Sequence, residues 1–535
     1  MCSYNRINGT HACHNGHTLG HLRNALGFNG WVVSDWWATH SFSKSVAAGM
    51  DVSMPGNDGF YTPSHFSGLS TSPATEVCTQ PFPISHHLHG VSREGGVSHH
   101  ISPCLTISPW RLTISCLVAP VPQVRMVTHV LYGMLNAGAL DESVCTAGCD
   151  CEHYLYGVTA TSDAHVALAR TIASHAAILL KNDGDVLPLP PSATVAVVGS
   201  ACGATHSIDV EKDDWKTGDY YVVGGSGRVV AASAVSTLAA LQAAGIATVV
   251  SPTDDVAPAL HAASQAAYVL VCASGTTSED QDRPTLRLDQ HSLLTQLSSA
   301  RADGSLGSAK LIIAAMAPGA IAVSPWKDGA DSIMAMFLGG QESGHGWADA
   351  LLGHVNPDAK LPVTFVNDDD DEHPPGPCVG SASLHCEYAE GLSVAWRGLH
   401  NESVGFPFGH GLSYTTFTYE WAAMPIASAD AHAALQMQVT VTNAGSGHSG
   451  AEVVQLYVRY PPHAGEPPSG VLRAFEKTRV LAPGEAQTLT FTLRDKDLSI
   501  WDSTPGAWSR VAGAFTMAVG SSSRDIRLTH TAQVR

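Results

Sequence analysis

Hydrophobic and polar positions along this chain change their rhythm several times. A helical spacing runs around Leu19 to Leu26, and the apolar run Trp31-Val32-Val33-Ser34 then predicts a buried strand. A second short run, Met50 to Met54, stops at Pro55-Gly56. Helix alternating with strand in this way is the rhythm of parallel α/β architecture. From about Tyr61 to Gln123 neither a period of two nor one of 3.6 is sustained, and the stretch reads as an irregular, aberrant insert.

Periodicity resumes at Val124, with an amphipathic helix through Met126–Leu135 that ends at Gly138. A helix is expected from His165 through Ala176 into Leu179, followed by a turn at Lys181-Asn182-Asp183-Gly184. Apolar strands are expected at 195–199, 247–250, 267–272, 311–315 and 333–337, separated by Ala-rich helices, which indicates a second, open α/β domain. The tail alternates in period two at 436–443, 453–458, 489–493 and 514–519, the pattern of an immunoglobulin-like β-sandwich.

The expected organisation is therefore α/β followed by β. Residues 1–60 and 123–150 form one domain interrupted by the 61–122 insert, 160–400 an α/β sandwich, and 401–535 a β-sandwich. A chain of 535 residues is long enough for several cores.

Composition narrows the partners. With 28 Lys and Arg against 47 Asp and Glu, the net charge of -19 argues against nucleic acid or an anionic membrane surface. The longest apolar stretch, Leu311 to Val323, contains Pro318 and Gly319 and is too short to span a bilayer. The first residues lack a signal-peptide core. The sequons Asn8-Gly9-Thr10 and Asn401-Glu402-Ser403 are compatible with secretion.

No metal and no cofactor is expected. Cys145, Cys149 and Cys151 share a loop but lack zinc spacing, and His86, His87, His89, His99 and His100 have no supporting carboxylate or cysteine pattern. Gly224 to Gly227 has no following Lys-Ser/Thr to complete a phosphate loop.

The chemistry centres on Asp35, delivered at the end of the Trp31–Ser34 strand and followed by Trp36 and Trp37. A carboxylate beside large aromatic faces suits sugar chemistry, because the rings pack on a pyranose while the acid meets an oxocarbenium-like carbon. By position alone, the favoured reading of Asp35 is a helix N-cap after a strand.

The wider wording decides between them. Residues 1–9 (Met-Cys-Ser-Tyr-Asn-Arg-Ile-Asn-Gly), 27–36 (ending Val-Val-Ser-Asp-Trp) and 48–56 (Ala-Gly-Met-Asp-Val-Ser-Met-Pro-Gly) resemble the nucleophile region of family three glycoside hydrolases, the β-glucosidase and β-xylosidase family. The likeness continues through 178–183, 224–227, 339–344 and 356–365, which resemble its second domain. Residues 388–392 and 407–414 resemble the junction with its fibronectin type III-like domain.

The resemblance implies a retaining hydrolase of terminal β-D-glucosyl residues, with β-xylosidase as the nearest alternative and a non-catalytic carbohydrate-binding remnant as a different class. It implies the C-terminal part of a (β/α)8-type barrel at the front, with the first strands lacking a counterpart, and an extracellular or secretory setting. It assigns the nucleophile to Asp35 and sugar contacts to Met1, Tyr4 and Trp36. The acid/base falls on Glu279, in Ser278-Glu279-Asp280-Gln281-Asp282-Arg283, with Glu342 as runner-up, and Ser226 approaches the sugar from the second domain. The implied partner is a β-glucoside or oligosaccharide.

Overall fold

The computed structural model describes residues 1–56, 59–62, 64–65, 105–108, 111–114, 121–139, 159–204, 207–231, 233–369, 389–424, 435–466 and 469–534. They divide into two compact units, Met1–Thr159 and Ala160–Arg535. Cys145, Cys149, Cys151, the five histidines between 86 and 100 and most of the 61–122 stretch lie outside the described residues.

The first unit opens with two short strands, β1 (Arg6–Ile7) and β2 (Thr10–His11), paired across a turn at Asn8-Gly9 where both residues have positive φ. A helix over Gly16–Asn24 is capped by Asn15, whose side chain accepts from the Thr18 N–H at 3.0 Å. Strand β3 (Val33–Trp36), a helix over Phe42–Ala48 and strand β4 (Val52–Met54) follow, and β3 and β4 pair in parallel. Gly49 ends the intervening helix at φ +110°, a conformation that a side chain would strain.

Cys2 forms a parallel bridge to Ser34 on the other side of β3 and a disulfide with Cys13. Cys2, Cys13, Leu19, Val32, Ala38 and Met50 make the small core beneath. Within the 61–122 stretch, β5 (Leu105–Ser108) and β6 (Arg111–Ile114) pair antiparallel, and a helix over Val121–Asn136 follows.

The strand expected at Trp31–Ser34 is displaced by two residues. The Val32 N–H is taken by the Asp51 side chain at 2.7 Å, and the Val32 carbonyl by the N–H groups of Asp51 and Val52. Regular pairing therefore begins only at Val33, and Asp35 lies inside the strand rather than after it.

The second unit is built on six strands: β7 (Ile178–Asn182), β8 (Thr194–Val198), β9 (Ala247–Ser251), β10 (Tyr268–Ser274), β11 (Lys310–Ala317) and β12 (Ser332–Phe337). Their order in the sheet is β7-β12-β11-β10-β8-β9, parallel except for β7, which runs antiparallel to β12. Helices over 256–263 and 291–302 cover one face, and helices over 237–243 and 343–351 the other. Burial on both faces is why these strands read as continuous apolar runs. Cys202 and Cys272 are bridged within this core.

One element departs from expectation. The helix beginning at Asp163 ends at Ala176, and Ile178 and Leu179, expected as its continuation, open the edge strand β7. A short apolar run fits either period. Here the tertiary pairing wins, since Leu179 also accepts the Leu412 N–H at 2.7 Å.

The tail forms a sandwich of two antiparallel sheets. One contains β13 (Phe417–Ala423), β14 (Leu435–Asn443) and β17 (Ala486–Leu493). The other contains β15 (Val453–Arg459), β16 (Val471–Lys477), β20 (Gly513–Gly520) and β21 (Ile526–Val534). Val439, Leu456, Phe491 and Phe515 meet in its interior. A separate hairpin pairs β18 (Ser499–Asp502) with β19 (Ala507–Arg510). No helix among the described residues is long and apolar enough to cross a membrane.

Candidate active site

In the first unit, Cys2 donates its N–H to the Val33 carbonyl at 2.9 Å and accepts the Asp35 N–H at 2.8 Å. The segment beginning at Met1 therefore runs alongside the strand that bears Asp35, and Met1 and Tyr4 on it are exposed. On the opposite side, Ser34 Oγ accepts the Met54 N–H at 2.8 Å, and Trp37 donates its N–H to the Met54 carbonyl at 3.0 Å. Asp35 is thus held by its backbone from both sides.

The Asp35 carboxylate is less committed than its backbone. It is half-buried and accepts the Trp36 N–H at 2.8 Å. Trp36 and Trp37 leave 44% and 64% of their surfaces open, so two indoles stand exposed next to the carboxylate.

Asp51 is the contrasting carboxylate of this unit. It is buried, and it accepts from Arg23 Nη2 at 2.5 Å, from the Val32 N–H at 2.7 Å and pairs with His129 Nδ1 at 2.9 Å. Both oxygen atoms of Asp51 are engaged inside the unit, whereas the Asp35 carboxylate is half-exposed. The supporting role of Asp51 escaped the sequence reading. It stands in a quoted motif, but Arg23 and His129 lie 28 and 78 positions away in the chain.

In the second unit, two loops meet. Gly224 donates its N–H to the Thr277 carbonyl at 3.1 Å, and the Glu279 N–H returns to the Gly224 carbonyl at 3.0 Å. The Glu279 carboxylate accepts the Ser226 N–H at 2.5 Å. The structure thus brings together two expected site residues separated by 53 positions.

The glycines here serve close backbone approach and not a phosphate cradle. A Cβ on Gly224 would overlap the Lys216 carbonyl, and one on Gly225, at φ +106°, would overlap the Glu279 Cβ. Lys216 forms an ion pair with Asp280 at 2.6 Å, and Asp280 itself has φ +63°. The Glu279 side chain is exposed.

Glu342 has a different setting. It is buried at the start of the helix over Ser343–Leu351, where His345 Nδ1 lies 2.6 Å from its carboxylate and Gln341 Nε2 donates to it at 3.3 Å. Its partners are local and its oxygen atoms are engaged. Among the described residues, no group of three or more His, Cys, Asp or Glu is arranged to hold a metal ion.

An α/β front unit with a half-exposed carboxylate beside open indoles, a doubly covered α/β sheet with a carboxylate on a glycine-supported loop, and a β-sandwich tail follow one another along the chain. A model of the glycosyl hydrolase family 3 C-terminal domain matches residues 177–414, and a fibronectin type III-like domain model matches 452–523. The Emericella nidulans protein named "Probable beta-glucosidase L" is 32% identical over 99% of this chain, which spans 70% of that relative. A β-glucosidase of Pyricularia oryzae is 30% identical over the whole chain, again over 70% of its own length.

Among solved structures, a β-glucosidase of Chaetomella raphigera superposes with a TM-score of 0.78 at 28% identity, over 100% of this chain and 73% of that one. A β-D-glucoside glucohydrolase of Trichoderma reesei gives 0.78 at 27% identity, with the same coverage. The chain belongs to glycoside hydrolase family 3.

Proposed function

We propose that this chain releases terminal non-reducing β-D-glucosyl residues from β-glucosides or oligosaccharides with retention, using Asp35 as nucleophile and Glu279 as acid/base. The observation that carries the reading is the contrast within one unit between Asp51, buried with both oxygen atoms engaged, and Asp35, backbone-anchored with a half-open carboxylate beside exposed Trp36 and Trp37. The two parallel strands β3 and β4, with Cys2 bridged to the far side of β3, support the reading of this unit as the C-terminal part of a (β/α)8-type barrel.

In the proposed reaction, Asp35 attacks the anomeric carbon while Glu279 protonates the leaving oxygen, giving a glycosyl-enzyme ester. Glu279, now ionised, removes a proton from water, which attacks the same carbon and restores Asp35. The indoles of Trp36 and Trp37 offer surfaces for the apolar face of the pyranose, with Met1, Tyr4 and Ser226 as further sugar contacts. Glu279 is preferred to Glu342 for the proton-transfer role because it stands on an exposed loop beside Ser226, whereas Glu342 is buried against His345.

Glucosides are preferred to xylosides as substrates on the strength of the relatives, which are named as β-glucosidases. Asn8 and Asn401, the sequon asparagines, are both exposed, which supports a secretory setting. The test is release of nitrophenol from aryl β-glucoside and aryl β-xyloside by the chain and by Asp35→Asn. Glucoside turnover that disappears in Asp35→Asn is the expected result; turnover that survives the substitution removes Asp35 from the mechanism.

A further inference from the structure

Glu279 sits on an exposed loop, yet proton transfer requires its carboxylate to be held in one place. The turn at 278–281 closes on itself through a bridge between Ser278 and Gln281, and Ser278 also bridges Gly224. At its apex Asp280 adopts φ +63°, a conformation that L-residues visit at a cost and that Asp tolerates better than most. Something must favour this geometry over an ordinary loop.

The side chain of Asp280 is bound by Lys216 Nζ at 2.6 Å. Lys216 is itself anchored from behind. The Gly225 N–H donates to the Trp215 carbonyl at 2.9 Å, the Lys216 carbonyl packs against Gly224 closely enough to exclude a Cβ, and Lys216 N–H donates to Asp214 Oδ1 at 2.8 Å. Arg228 Nη1 donates to the carbonyls of Asp214 and Thr217 at 2.9 and 3.2 Å, tying the same segment to the far end of the glycine loop.

Three short segments, 214–217, 224–228 and 277–281, thus form one closed set of contacts. The Glu279 carboxylate, on the Ser226 N–H, is its central acceptor. We propose that Lys216, through its ion pair with Asp280, is a positioning residue for Glu279. It holds the 278–281 turn in the conformation that presents the carboxylate to the Ser226 N–H. The assignment of Glu279 as acid/base is the reading given above, and the positioning role rests on it for its catalytic meaning but not for its structural content.

The charge of Lys216 is also part of its effect. Its hydrogen bond to Asp280 chiefly, with the nearby charges of Asp214 and Glu279 adding, keeps its ammonium above the ordinary lysine range. The charged groups tied into these three segments are Asp214, Lys216, Arg228 and Asp280, with Asp282 and Arg283 next along the Glu279 loop. Neutralising Lys216 removes one cation from this set. A carboxyl beside fewer cations titrates higher, so the alkaline limb of a pH–rate profile that reports Glu279 moves up in pH.

The experiment compares the full chain with Lys216→Met, Lys216→Arg and Glu279→Gln by amide hydrogen exchange, by pH–rate profile and by turnover of glucosides with good and poor leaving groups. Exchange in peptides covering 224–228 and 277–283 is expected to accelerate about two- to fivefold in Lys216→Met, the scale of one exposed ion pair. Strand β10 is expected to stay unchanged, and Lys216→Arg to behave like the parent. Unchanged exchange in Lys216→Met overturns the positioning role, whatever happens to turnover. Accelerated exchange with undiminished turnover in Glu279→Gln leaves the positioning of the loop standing and overturns the acid/base reading instead.

Discussion

The guanidinium of Arg23 and the carboxylate of Asp51 meet at 2.5 Å in the interior of the first unit. Asp51 joins the helix over Gly16–Asn24, the entry to β3 at Val32 and, through His129, the helix over Val121–Asn136. Arg23 in turn donates to the carbonyls of Phe28 and Gly30, which shape the turn leading into the strand of Asp35. Removing the carboxylate strands a largely buried cation. Asp51→Ala is expected to destabilise the first unit by about 3–5 kcal/mol, measured by denaturant titration followed through its tryptophans. A loss below about 1 kcal/mol contradicts the central role of this carboxylate.

Asp35→Asn should behave in the opposite way. Its recorded side-chain bond is to the Trp36 N–H, which an amide oxygen can still accept, so the denaturation midpoint should hardly move. Turnover should fall by about three orders of magnitude or more, as for other essential catalytic side chains. A large drop in stability would instead make the lost activity an effect of unfolding.

For Glu279→Gln, the leaving group is the diagnostic. With nitrophenyl glucosides little protonation is needed, whereas cellobiose depends on the general acid, a contribution of about 10²–10⁴-fold. Turnover of the disaccharide should fall far more than turnover of the aryl glucoside. Equal losses on both substrates point to a role in binding and away from proton transfer.

Gly225→Ala tests the glycine loop. The new methyl must occupy space held by Glu279, at a φ of +106° that alanine adopts with strain of about 1–3 kcal/mol. Activity should drop sharply while circular dichroism shows an intact fold, and a crystal structure of the variant should show Glu279 displaced from the Ser226 N–H. An undisplaced carboxylate would remove the steric argument.

The second unit should lose stability in acid through its paired aspartates. Burial pushes the Asp331 carboxyl up, but hydrogen bonds from Arg301, the Leu311 N–H and Lys310 outweigh this and hold it below the usual carboxylate range. Asp349, buried beside Arg170 and Ser174, shifts the same way. A depressed folded pKa contributes stability that is present above the unfolded value, about 3.9, and is lost as pH falls through the folded value. The share of the urea midpoint that these aspartates supply should therefore persist down to about pH 4 and be lost below it. Asp331→Asn should flatten that decline while lowering the midpoint at neutral pH; an unchanged slope would exclude Asp331 as a source.

Much of the fold was legible because burial writes itself into periodicity. The strands β8, β10, β11 and β12 are buried on both faces, and the alternation along β14 places one face inward, so both were visible as patterns. The edge strand β7 was not, because Ile178-Leu179-Leu180 suits a helix as well as a strand until β12 and Leu412 pair with it. The two-residue displacement of β3 has a similar cause. The Val32 backbone is claimed by Asp51, a contact between positions 19 apart that no local pattern encodes.

The candidate site divides along the same line. Sequence by itself determined the residue types and their order: the Ser-Asp-Trp-Trp wording at 34–37, the glycine run at 224–227 and the Glu279 loop, and with them the family. Only the tertiary structure decided which partners each carboxylate meets. Asp35 and Asp51 are the same residue type in adjacent motifs, and they differ because Arg23, Val32 and His129 converge on one of them. Glu279 and Glu342 differ because a backbone N–H of a distant loop meets the first and His345 the second. Hydrogen bonding acts over about 3 Å, so partners distant in the chain become neighbours only when the chain has folded.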